Sequence, residues 1–255
     1  MPRALVHWFH RSGEAGDVPI VLLHGFTGAV SSWDQVAHKL VGVSVLGLHL
    51  PGHHPDAPVA ATWQGNVDWA IDTLVAHGVR RCRLVGYSLG ARTALGVLLR
   101  RPELVEHCLL IGVHPGLTSE QARTERRSAD ANWVRMLGGE GLESFVGRWE
   151  ALPIFAHQSA EVCAEQRNVR LAHEPAGLAA SLTHMGLAEM PDYRAEFSST
   201  QVPVKVAAGE HDTKFAELAR AFASDPISIP GCGHNAVAER PEAVAELIRG
   251  RLGVD

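Results

Sequence analysis

Short apolar runs rich in β-branched residues alternate with longer helical patterns along most of this 255-residue chain. The strand-like runs fall at residues 20–23, 43–48, 83–85, 108–113, 204–208 and 227–229. The helical patterns fall at residues 66–77, 89–100, 214–223 and 242–252. Such an alternation is typical of a parallel sheet whose strands are joined by crossover helices. We therefore predict an α/β fold with a mostly parallel central sheet flanked by helices, its strands buried on both faces.

The alternation stops between about residues 118 and 198, where the pattern is helical and no convincing strand is found. Thr118, with Gln121 three residues later, indicates a capping box that opens the first helix of this stretch. A helical insertion of this length within an α/β sheet predicts a lid over the strand ends. We therefore predict a core made of residues 1–117 and 199–255, and a helical cap made of residues 118–198.

The bulk properties exclude several classes of protein. The net charge of −5 lacks the basic excess expected of a protein that binds nucleic acid or a membrane surface. The start of the chain has no long apolar run, so no signal peptide is expected, and no stretch reaches the roughly 18 apolar residues of a membrane span. The four cysteines are scattered without metal-ligand spacing and predict free thiols. We expect a cytoplasmic protein, either a monomer or a weak homo-oligomer.

The sequence Gly86-Tyr87-Ser88-Leu89-Gly90 matches the pattern G-x-S-x-G. An apolar run precedes it and a helical run follows, which is the context of a tight strand-to-helix turn. Such a turn forces its central residue into a strained conformation, and only small neighbours avoid steric clashes. The strain exposes the hydroxyl at the strand end. We predict Ser88 as a catalytic nucleophile or base.

A serine hydroxyl needs a histidine base that is itself oriented by a carboxylate. In this architecture the partners follow in the order serine, acid, histidine. The run at 204–208 leads into a loop that contains Asp212, with Glu210 as the nearby rival and a loop or cap aspartate as the alternative role. Of the fifteen histidines, only His234 lies beyond Asp212. The predicted triad is Ser88, Asp212 and His234.

Two backbone N–H groups are expected to form an oxyanion hole beside Ser88. One comes from the residue after the serine, Leu89, and the other from the loop after the first predicted strand, at Phe26. The alternative for the His24-Gly25-Phe26 segment is a glycine turn with a packed phenylalanine. The adjacent His53 and His54 have no carboxylate or cysteine at ligand spacing, so we expect no metal site and no cofactor.

Several local strings together resemble the synthases that make 2-succinyl-6-hydroxy-2,4-cyclohexadiene-1-carboxylate in menaquinone biosynthesis, a branch of the α/β-hydrolase superfamily. The strings lie at residues 23–28, 85–92, 114–117, 125–130, 133–134, 153–155, 209–215 and 233–235, with a single Trp149. The triad strings are shared across the superfamily, whereas the cap strings and Arg92 are the specific part. One departure is a histidine in the sequence Pro51-Gly52-His53-His54, where the family has glycine.

The resemblance implies a lyase that removes a ring proton and expels pyruvate from a substrate with three carboxylates. It points to a substrate-binding set made of Tyr87, Arg92, Arg126, Trp149, Phe155 and Arg170. Arginine forks match carboxylates with two hydrogen bonds each. Arg92 has separate support, because a cation in the first turn of a helix is disfavoured by about 0.3–1 kcal/mol and so suggests an anionic ligand.

The cap residues have plainer alternative roles. Residues 118–198 contain eight basic and twelve acidic residues, so carboxylate binding there requires specific pairing. Arg126 and Arg170 could belong to a solvated cap surface. Trp149 and Phe155 could be core residues of the cap.

Two other functions remain open from the sequence. An esterase or carbon–carbon-bond hydrolase would use the same triad with water as a reactant and would not need three arginines. A hydrolase-like receptor would bind a ligand while keeping the triad without turnover.

Overall fold

The computed structural model describes residues 5–12 and 17–253. Residues 1–4 lie outside this range. They belong to the segment from which we predicted that no signal peptide is present. Seven strands are found in the described part. They are β1 (Val6–His10), β2 (Ile20–Leu23), β3 (Val45–Leu48), β4 (Cys82–Tyr87), β5 (Val105–Ile111), β6 (Val204–Gly209) and β7 (Ile227–Ile229).

The strands form one twisted sheet in the order β1-β3-β2-β4-β5-β6-β7. Strands β2 to β7 pair in parallel, and β1 pairs antiparallel with β3 at the edge. Strand β1 was not predicted, because only Val6 of the strand is buried and its residues do not form an apolar run. The predicted mostly parallel sheet is confirmed.

The sheet separates two apolar cores because side chains alternate along each strand. In β2, Val21 and Leu23 face one core, whereas Ile20 and Leu22 face the other. Helices α2 (Trp63–Ala76), α3 (Leu89–Arg100) and α9 (Thr213–Phe222) contribute buried residues to the first core. Helices α1 (Asp34–Ala37), α10 (Ala236–Glu239) and α11 (Pro241–Arg251) cover the second core.

Five helices lie between β5 and β6, and we call this helical segment the cap. They are α4 (Glu120–Gly139), α5 (Gly141–Glu150), α6 (Ala160–Leu171), α7 (Pro175–Met185) and α8 (Arg194–Ser199). A small core of its own holds α4, α5 and α7 together, with Phe145 fully buried at its centre. Phe26, from the loop after β2, packs against both this core and the first core of the sheet. The division of the chain at residues 118 and 198 stays a prediction.

The predicted capping box at Thr118 is wrong by one residue. Helix α4 starts at Glu120, and the Ser119 hydroxyl accepts a hydrogen bond from Ala122 N–H at 3.1 Å. Ser119 takes the cap because its extended backbone directs its hydroxyl at the free N–H groups of the first turn. The residue at the third helical position is then alanine, so no reciprocal bond completes a box.

Several strand boundaries also differ from the prediction. Strand β5 was predicted at 108–113 from its apolar letters, but it begins at Val105 and ends at Ile111. It ends there because Gly112 turns the chain with a φ of 61°. Strand β3 begins at Val45 rather than at residue 43. No helix in the described residues is long and apolar enough to cross a membrane.

Candidate active site

Ser88 occupies the turn between β4, which ends at Tyr87, and α3, which begins at Leu89. Its backbone φ of 53° and ψ of −109° lie in a region that L residues rarely adopt. The turn closes so tightly that a Cβ added to Gly86 would meet Gly90 O at 2.3 Å. A Cβ added to Gly90 would meet Leu23 O at 2.1 Å. Glycine at both positions is therefore a steric requirement of the turn.

The three predicted triad residues come together at the carboxyl ends of the strands. His234 Nε2 lies 3.1 Å from Ser88 Oγ, and His234 Nδ1 lies 2.6 Å from Asp212 Oδ2. Asp212 follows β6, and His234 follows β7. Asp212 and His234 are 7% and 4% exposed, so water competes little for their hydrogen bond. The arrangement suits proton transfer between Ser88 and His234.

The alternative roles for the acid do not match the geometry. Asp212 precedes α9 at the cap position, but its side chain makes no capping hydrogen bond and pairs with His234 instead. Glu210 accepts a hydrogen bond from Gly231 N–H at 2.8 Å and is exposed. That bond directs the Glu210 carboxylate to the loop after β7 rather than to the imidazole of His234.

The predicted oxyanion donors flank the serine. Leu89 is the first residue of α3, where backbone N–H groups have no partner within the helix. Phe26 lies in a tight turn that Gly28 N–H closes onto Gly25 O at 3.0 Å. The N–H of the first central residue takes no part in the closing bond of such a turn, which leaves Phe26 N–H for a ligand.

Ser88 opens onto two cavities. A cleft of about 1090 Å³, including its open mouth, lies under the cap, and we call it the cap cleft. A smaller cavity of about 500 Å³, the Arg170 pocket, reaches Ser88 and His234 on the side of the Phe26 turn. Trp149 lines both cavities, while Tyr87 and Phe155 line the smaller one. Burial raises the pKa of the Tyr87 hydroxyl well above its ordinary value.

Arg92 and Arg126 both line the cap cleft. Arg92 Nη1 donates to Met185 O at 3.0 Å, and its guanidinium lies 5.4 Å from the centre of the Trp63 ring. Burial, with the positive charge of Arg126 nearby, lowers the pKa of Arg92 to about 9. No carboxylate lies within ion-pair distance of Arg92 among the described residues. A partly buried cation without such a partner is costly, and an anionic ligand would offset that cost.

Arg126 has a carboxylate partner within the cap. Its Nε lies 2.9 Å from both carboxylate oxygens of the buried Asp130. This pair uses the Nε edge of the guanidinium and leaves other N–H groups to face the cleft. Its side chain is one-third exposed, so it is not the fully solvated residue of the alternative reading.

Arg170 does not join the other two arginines. Its side chain is 3% exposed and lines the Arg170 pocket, where it pairs with Glu150 at 3.1 Å and lies 4.9 Å from the centre of the Phe155 ring. Its Nε is buried with no hydrogen-bond partner among the described residues. The alternative of a solvated cap surface is wrong for Arg170, because a solvated residue would not be buried at this depth.

The aromatic residues play a packing role as well as lining the cavities. Trp149 stacks on Phe145 in the cap core, with ring centres 5.6 Å apart, and meets Phe26 edge-on at 5.2 Å. Phe155 packs against Trp149 at 6.3 Å. The structure therefore shows the core packing that was the alternative role for Trp149 and Phe155, and their role in substrate binding stays a prediction.

Two further residues of the cap cleft were missed from the sequence. Lys214, two residues after Asp212, lines the cleft, and its Nζ lies 5.7 Å from the centre of the Phe215 ring. His114 lines it from the loop after β5, and burial next to the charge of Arg92 lowers its pKa to about 3. Both residues lie within the sequence strings that resemble the synthases, but only the fold shows that the two strand-end loops meet here.

The charge of the cap cleft is opposite to the charge of the cap. Three cationic residues line it, namely Arg92, Arg126 and Lys214. Asp130 is the only acidic residue in the described lining. No group of three or more potential ligands that could hold a metal ion is found in the described residues. The cleft is therefore suited to an anionic organic ligand next to a serine and histidine pair.

A strained serine between a strand and a helix, with an acid after β6 and a histidine after β7, defines the α/β-hydrolase class. The family model of the alpha/beta hydrolase family matches residues 20–247. The 2-succinyl-6-hydroxy-2,4-cyclohexadiene-1-carboxylate synthase of Enterobacter sp. (strain 638) is 35% identical over 239 residues, which cover 93% of each chain. The synthase of the same name from Escherichia coli O1:K1 / APEC is 33% identical over 96% of this chain and 99% of its own.

Solved structures agree with this relationship. The structure of MenH from S. aureus has a TM-score of 0.90 and 25% identity, with 98% of each chain covered. A thermophilic esterase from Thermogutta terrifontis has the same fold, with a TM-score of 0.80 at 22% identity over 97% of this chain and 93% of its own. The chain belongs to the alpha/beta hydrolase family and, within it, to the family of 2-succinyl-6-hydroxy-2,4-cyclohexadiene-1-carboxylate synthases.

Proposed function

We propose that this protein is a lyase of menaquinone biosynthesis. It eliminates pyruvate from 2-succinyl-5-enolpyruvyl-6-hydroxy-3-cyclohexene-1-carboxylate and yields 2-succinyl-6-hydroxy-2,4-cyclohexadiene-1-carboxylate. Relatives that are 33–35% identical over nearly the whole chain carry the name of this synthase. The observation that carries the proposal is the cationic cap cleft that opens directly onto Ser88, because this substrate has three carboxylates.

In the proposed mechanism, Ser88 acts as a base. His234 takes the hydroxyl proton of Ser88, and Asp212 holds His234 in the orientation that the 2.6 Å contact gives it. The serine oxygen then removes a ring proton next to the succinyl ketone. The N–H groups of Phe26 and Leu89 stabilise the negative charge that develops on the ketone oxygen. The carbon–oxygen bond to the enolpyruvyl group breaks as the new ring double bond forms, and a proton returns to the departing enolate of pyruvate.

The cations position the substrate. Arg92 and Arg126 bind carboxylates in the cap cleft, and Arg170 binds one in the Arg170 pocket, with Tyr87, Trp149 and Phe155 as apolar walls. Two observations on the described residues support these roles: Arg92 has no carboxylate partner, and Nε of Arg170 has no hydrogen-bond partner. Holding the ring on two sides turns its C–H bond, rather than a carbonyl carbon, toward Ser88. The helical segment 118–198 serves as the cap that carries Arg126, Trp149, Phe155 and Arg170.

The partner is a small-molecule polycarboxylate. We propose that the enzyme works in the cytoplasm as a monomer or a weak homo-oligomer, with no membrane or nucleic-acid partner. All four cysteines are free thiols, three of them buried, which supports a reducing compartment. The net charge of −5 supports the absence of a polyanionic partner.

The elimination conserves atoms, and this gives the first test. The protein is incubated with the cyclohexene precursor, and pyruvate release is followed with a coupled dehydrogenase. The masses of both products are then measured by mass spectrometry. We expect pyruvate release and product masses that sum to the mass of the substrate, because no acyl-enzyme forms that water would resolve.

The control for this test is Ser88→Ala, which should release no pyruvate above background. A sum of product masses that is heavier by one water would replace the lyase with an esterase or carbon–carbon-bond hydrolase. Tight binding of the precursor without turnover would instead favour the receptor.

A further inference from the structure

Thr27, in the turn next to Phe26, has a left-handed backbone with a φ of 62°. A β-branched residue is disfavoured there, so the surrounding structure must hold it in place. Two imidazoles do so. Thr27 N–H donates to His53 Nε2 at 3.2 Å, and His173 Nε2 donates to Thr27 O at 3.1 Å. Both hydrogen-bonding groups of the strained residue are therefore bound by buried histidines.

The tautomers of these histidines follow from their other contacts. His53 Nδ1 donates to Pro51 O at 3.0 Å, which leaves its Nε2 to accept from Thr27. His173 must carry its proton on Nε2, because Thr27 O can only accept. Burial lowers the pKa of His53 to about 3 and lowers the pKa of His173 as well, so both rings are neutral.

The turn held in this way presents the Phe26 N–H. Phe26 N–H belongs to the same planar peptide as Gly25 O, and Gly25 O accepts from Gly28 N–H at 3.0 Å and from His24 Nδ1 at 2.8 Å. Thr27 is the second central residue of this turn, and a positive φ at that position fixes the turn type. A negative φ at Thr27 would require the peptide between Phe26 and Thr27 to flip, as in a type I turn. That flip would break the bond from Thr27 N–H to His53 Nε2 and disturb the orientation of Phe26.

His173 reaches the turn from the cap. It lies between α6, which ends at Leu171, and α7, which starts at Pro175. Its ring packs edge-on against His53, with ring centres 5.4 Å apart. Arg170 precedes it by three residues, and the two are linked by a hydrogen bond from His173 N–H to Arg170 O at 3.4 Å. One short cap segment thus supplies both a wall of the Arg170 pocket and a brace for the turn.

We propose that His173 is a positioning residue: its Nε2–H bond to Thr27 O locks the left-handed turn that aims Phe26 N–H at the reacting oxygen. The cap therefore completes the oxyanion hole through a bond that never touches substrate. This proposal rests on the proposed function, since its kinetic test reads pyruvate release. A second readout, the amide resonance of Phe26 in ¹⁵N-labelled protein, does not depend on any reaction.

The test compares the whole protein carrying His173→Ala, His173→Gln or the control Glu174→Ala. Glu174 is exposed and its side chain makes no capping bond. We expect His173→Ala to lower kcat about 10- to 100-fold with little change in KM, since a small misplacement of a positioned group costs about this much. Its Phe26 and Thr27 amide resonances should shift. His173→Gln should recover much of kcat, because its amide nitrogen reaches the place of Nε2, and Glu174→Ala should match the wild type.

Several results would overturn the proposal. Wild-type kcat and unshifted resonances in His173→Ala would show that the bond positions nothing. A higher KM with unchanged kcat would assign His173 to substrate binding through Arg170. A His173→Gln variant as slow as His173→Ala, with an equal thermal midpoint, would remove the donor bond as the cause. If the wild type releases no pyruvate, the proposed function fails, whereas the amide resonances still decide the role of His173.

Discussion

At the scale of single residues, backbone strain is concentrated beside the reacting atoms. Thr27 and Ser88 are the non-glycine residues with a positive φ in the described part of the chain. Each such residue costs of order 1–3 kcal/mol and persists only where its surroundings hold it. The parallel pairing of β2 with β4 brings the two strained residues together, since they follow the ends of adjacent strands. The protein therefore gives up stability at the place where it needs fixed donors and a raised hydroxyl.

The strain at Ser88 predicts that two substitutions differ in their effect on stability but have the same effect on turnover. Ser88→Ala and Ser88→Gly should both lower pyruvate release by several powers of ten, because triad residues act as a unit. Ser88→Gly should be more stable than Ser88→Ala by about 1 kcal/mol, since glycine accepts the positive φ but loses more entropy on folding. Urea denaturation measures the difference.

A control for this comparison lies in a surface helix. Ser198→Gly, at an exposed position of α8, should lower the free energy of unfolding, because no strain is relieved there. Equal stabilities of the two Ser88 variants would contradict the role of strain, and near wild-type turnover in either would end the triad assignment.

At the scale of elements, helix α4 carries arginines with three different tasks. Arg123 donates to Leu117 O, Ala188 O and Met190 O, each at 2.8 Å, and so ties the helix to the backbone of the cap. Arg126 faces the cap cleft beside Asp130. Arg127 pairs with Glu120 and Glu189 at the surface. The spacing of these arginines along the sequence does not distinguish the tasks. Each task depends on which part of the protein the corresponding face of the helix contacts.

Arg126 and Arg127 form a matched pair for measuring substrate binding. Arg126→Ala should lower kcat/KM by the equivalent of about 2–5 kcal/mol, since a desolvated charge pair with a substrate carboxylate is lost. Arg127→Ala should change kcat/KM little, because exposed ion pairs contribute about 0–1 kcal/mol to stability and this one lies outside the cleft. Steady-state assays of pyruvate release provide the measurement.

The partner of Arg126 needs its own control. Arg126→Ala leaves the Asp130 carboxylate unpaired, so the double variant Arg126→Ala with Asp130→Ala separates substrate pairing from that added repulsion. A double variant with wild-type kcat/KM would show that Arg126 serves only to neutralise Asp130. Arg123 is unsuitable as a control, since its loss would free three carbonyl groups in the cap.

The elements that the sequence predicted well are those with local signals. Helix α3 has the predicted bounds of Leu89–Arg100, because the elbow glycines fix its start. The contacts among Ser88, Asp212 and His234 followed from chain order and strand ends. The placement of Arg170 in a separate pocket did not follow, because it depends on how α6 packs against α5 and the helical turn Val30–Trp33. Lys214 and the edge strand β1 were also missed, because both depend on contacts between residues that are distant in the sequence. Lys214 meets other loops in the cap cleft, and β1 pairs with β3.

At the scale of the whole molecule, the fold buries several histidines in the neutral state. Burial lowers the pKa of His24 well below its ordinary value, and it lowers those of His53 and His114 to about 3. They serve as hydrogen-bonding braces, as when His24 Nε2 accepts from Leu50 N–H at 3.1 Å. Since the unfolded chain protonates these residues near pH 6.5, it binds more protons than the folded protein below that pH.

Stability should therefore be constant above about pH 6.5 and fall as the pH is lowered toward 4. At pH 5 His53 and His114 should each lower the free energy of unfolding by about 1–2 kcal/mol. Urea denaturation from pH 8 to pH 4.5 measures the slope. His114→Asn, whose side-chain oxygen can accept from Gly116 N–H as His114 Nδ1 does, should reduce that slope by about one proton. A free energy of unfolding that is the same at pH 5 and pH 7.5 would contradict the prediction.

The shared position of Phe26 limits how this molecule can diversify. Phe26 packs into the core of the sheet and the core of the cap, while its backbone N–H is a donor that we propose for the oxyanion hole. The cap is thus not an interchangeable module that evolution or an engineer could replace to obtain a new specificity. In a chimera that carries the cap of a distant relative, the cap core would not fit the Phe26 ring. We expect such a chimera to lose turnover. Substitutions in the cap core therefore have to be matched by substitutions in the loop after β2, so the two segments have to evolve together.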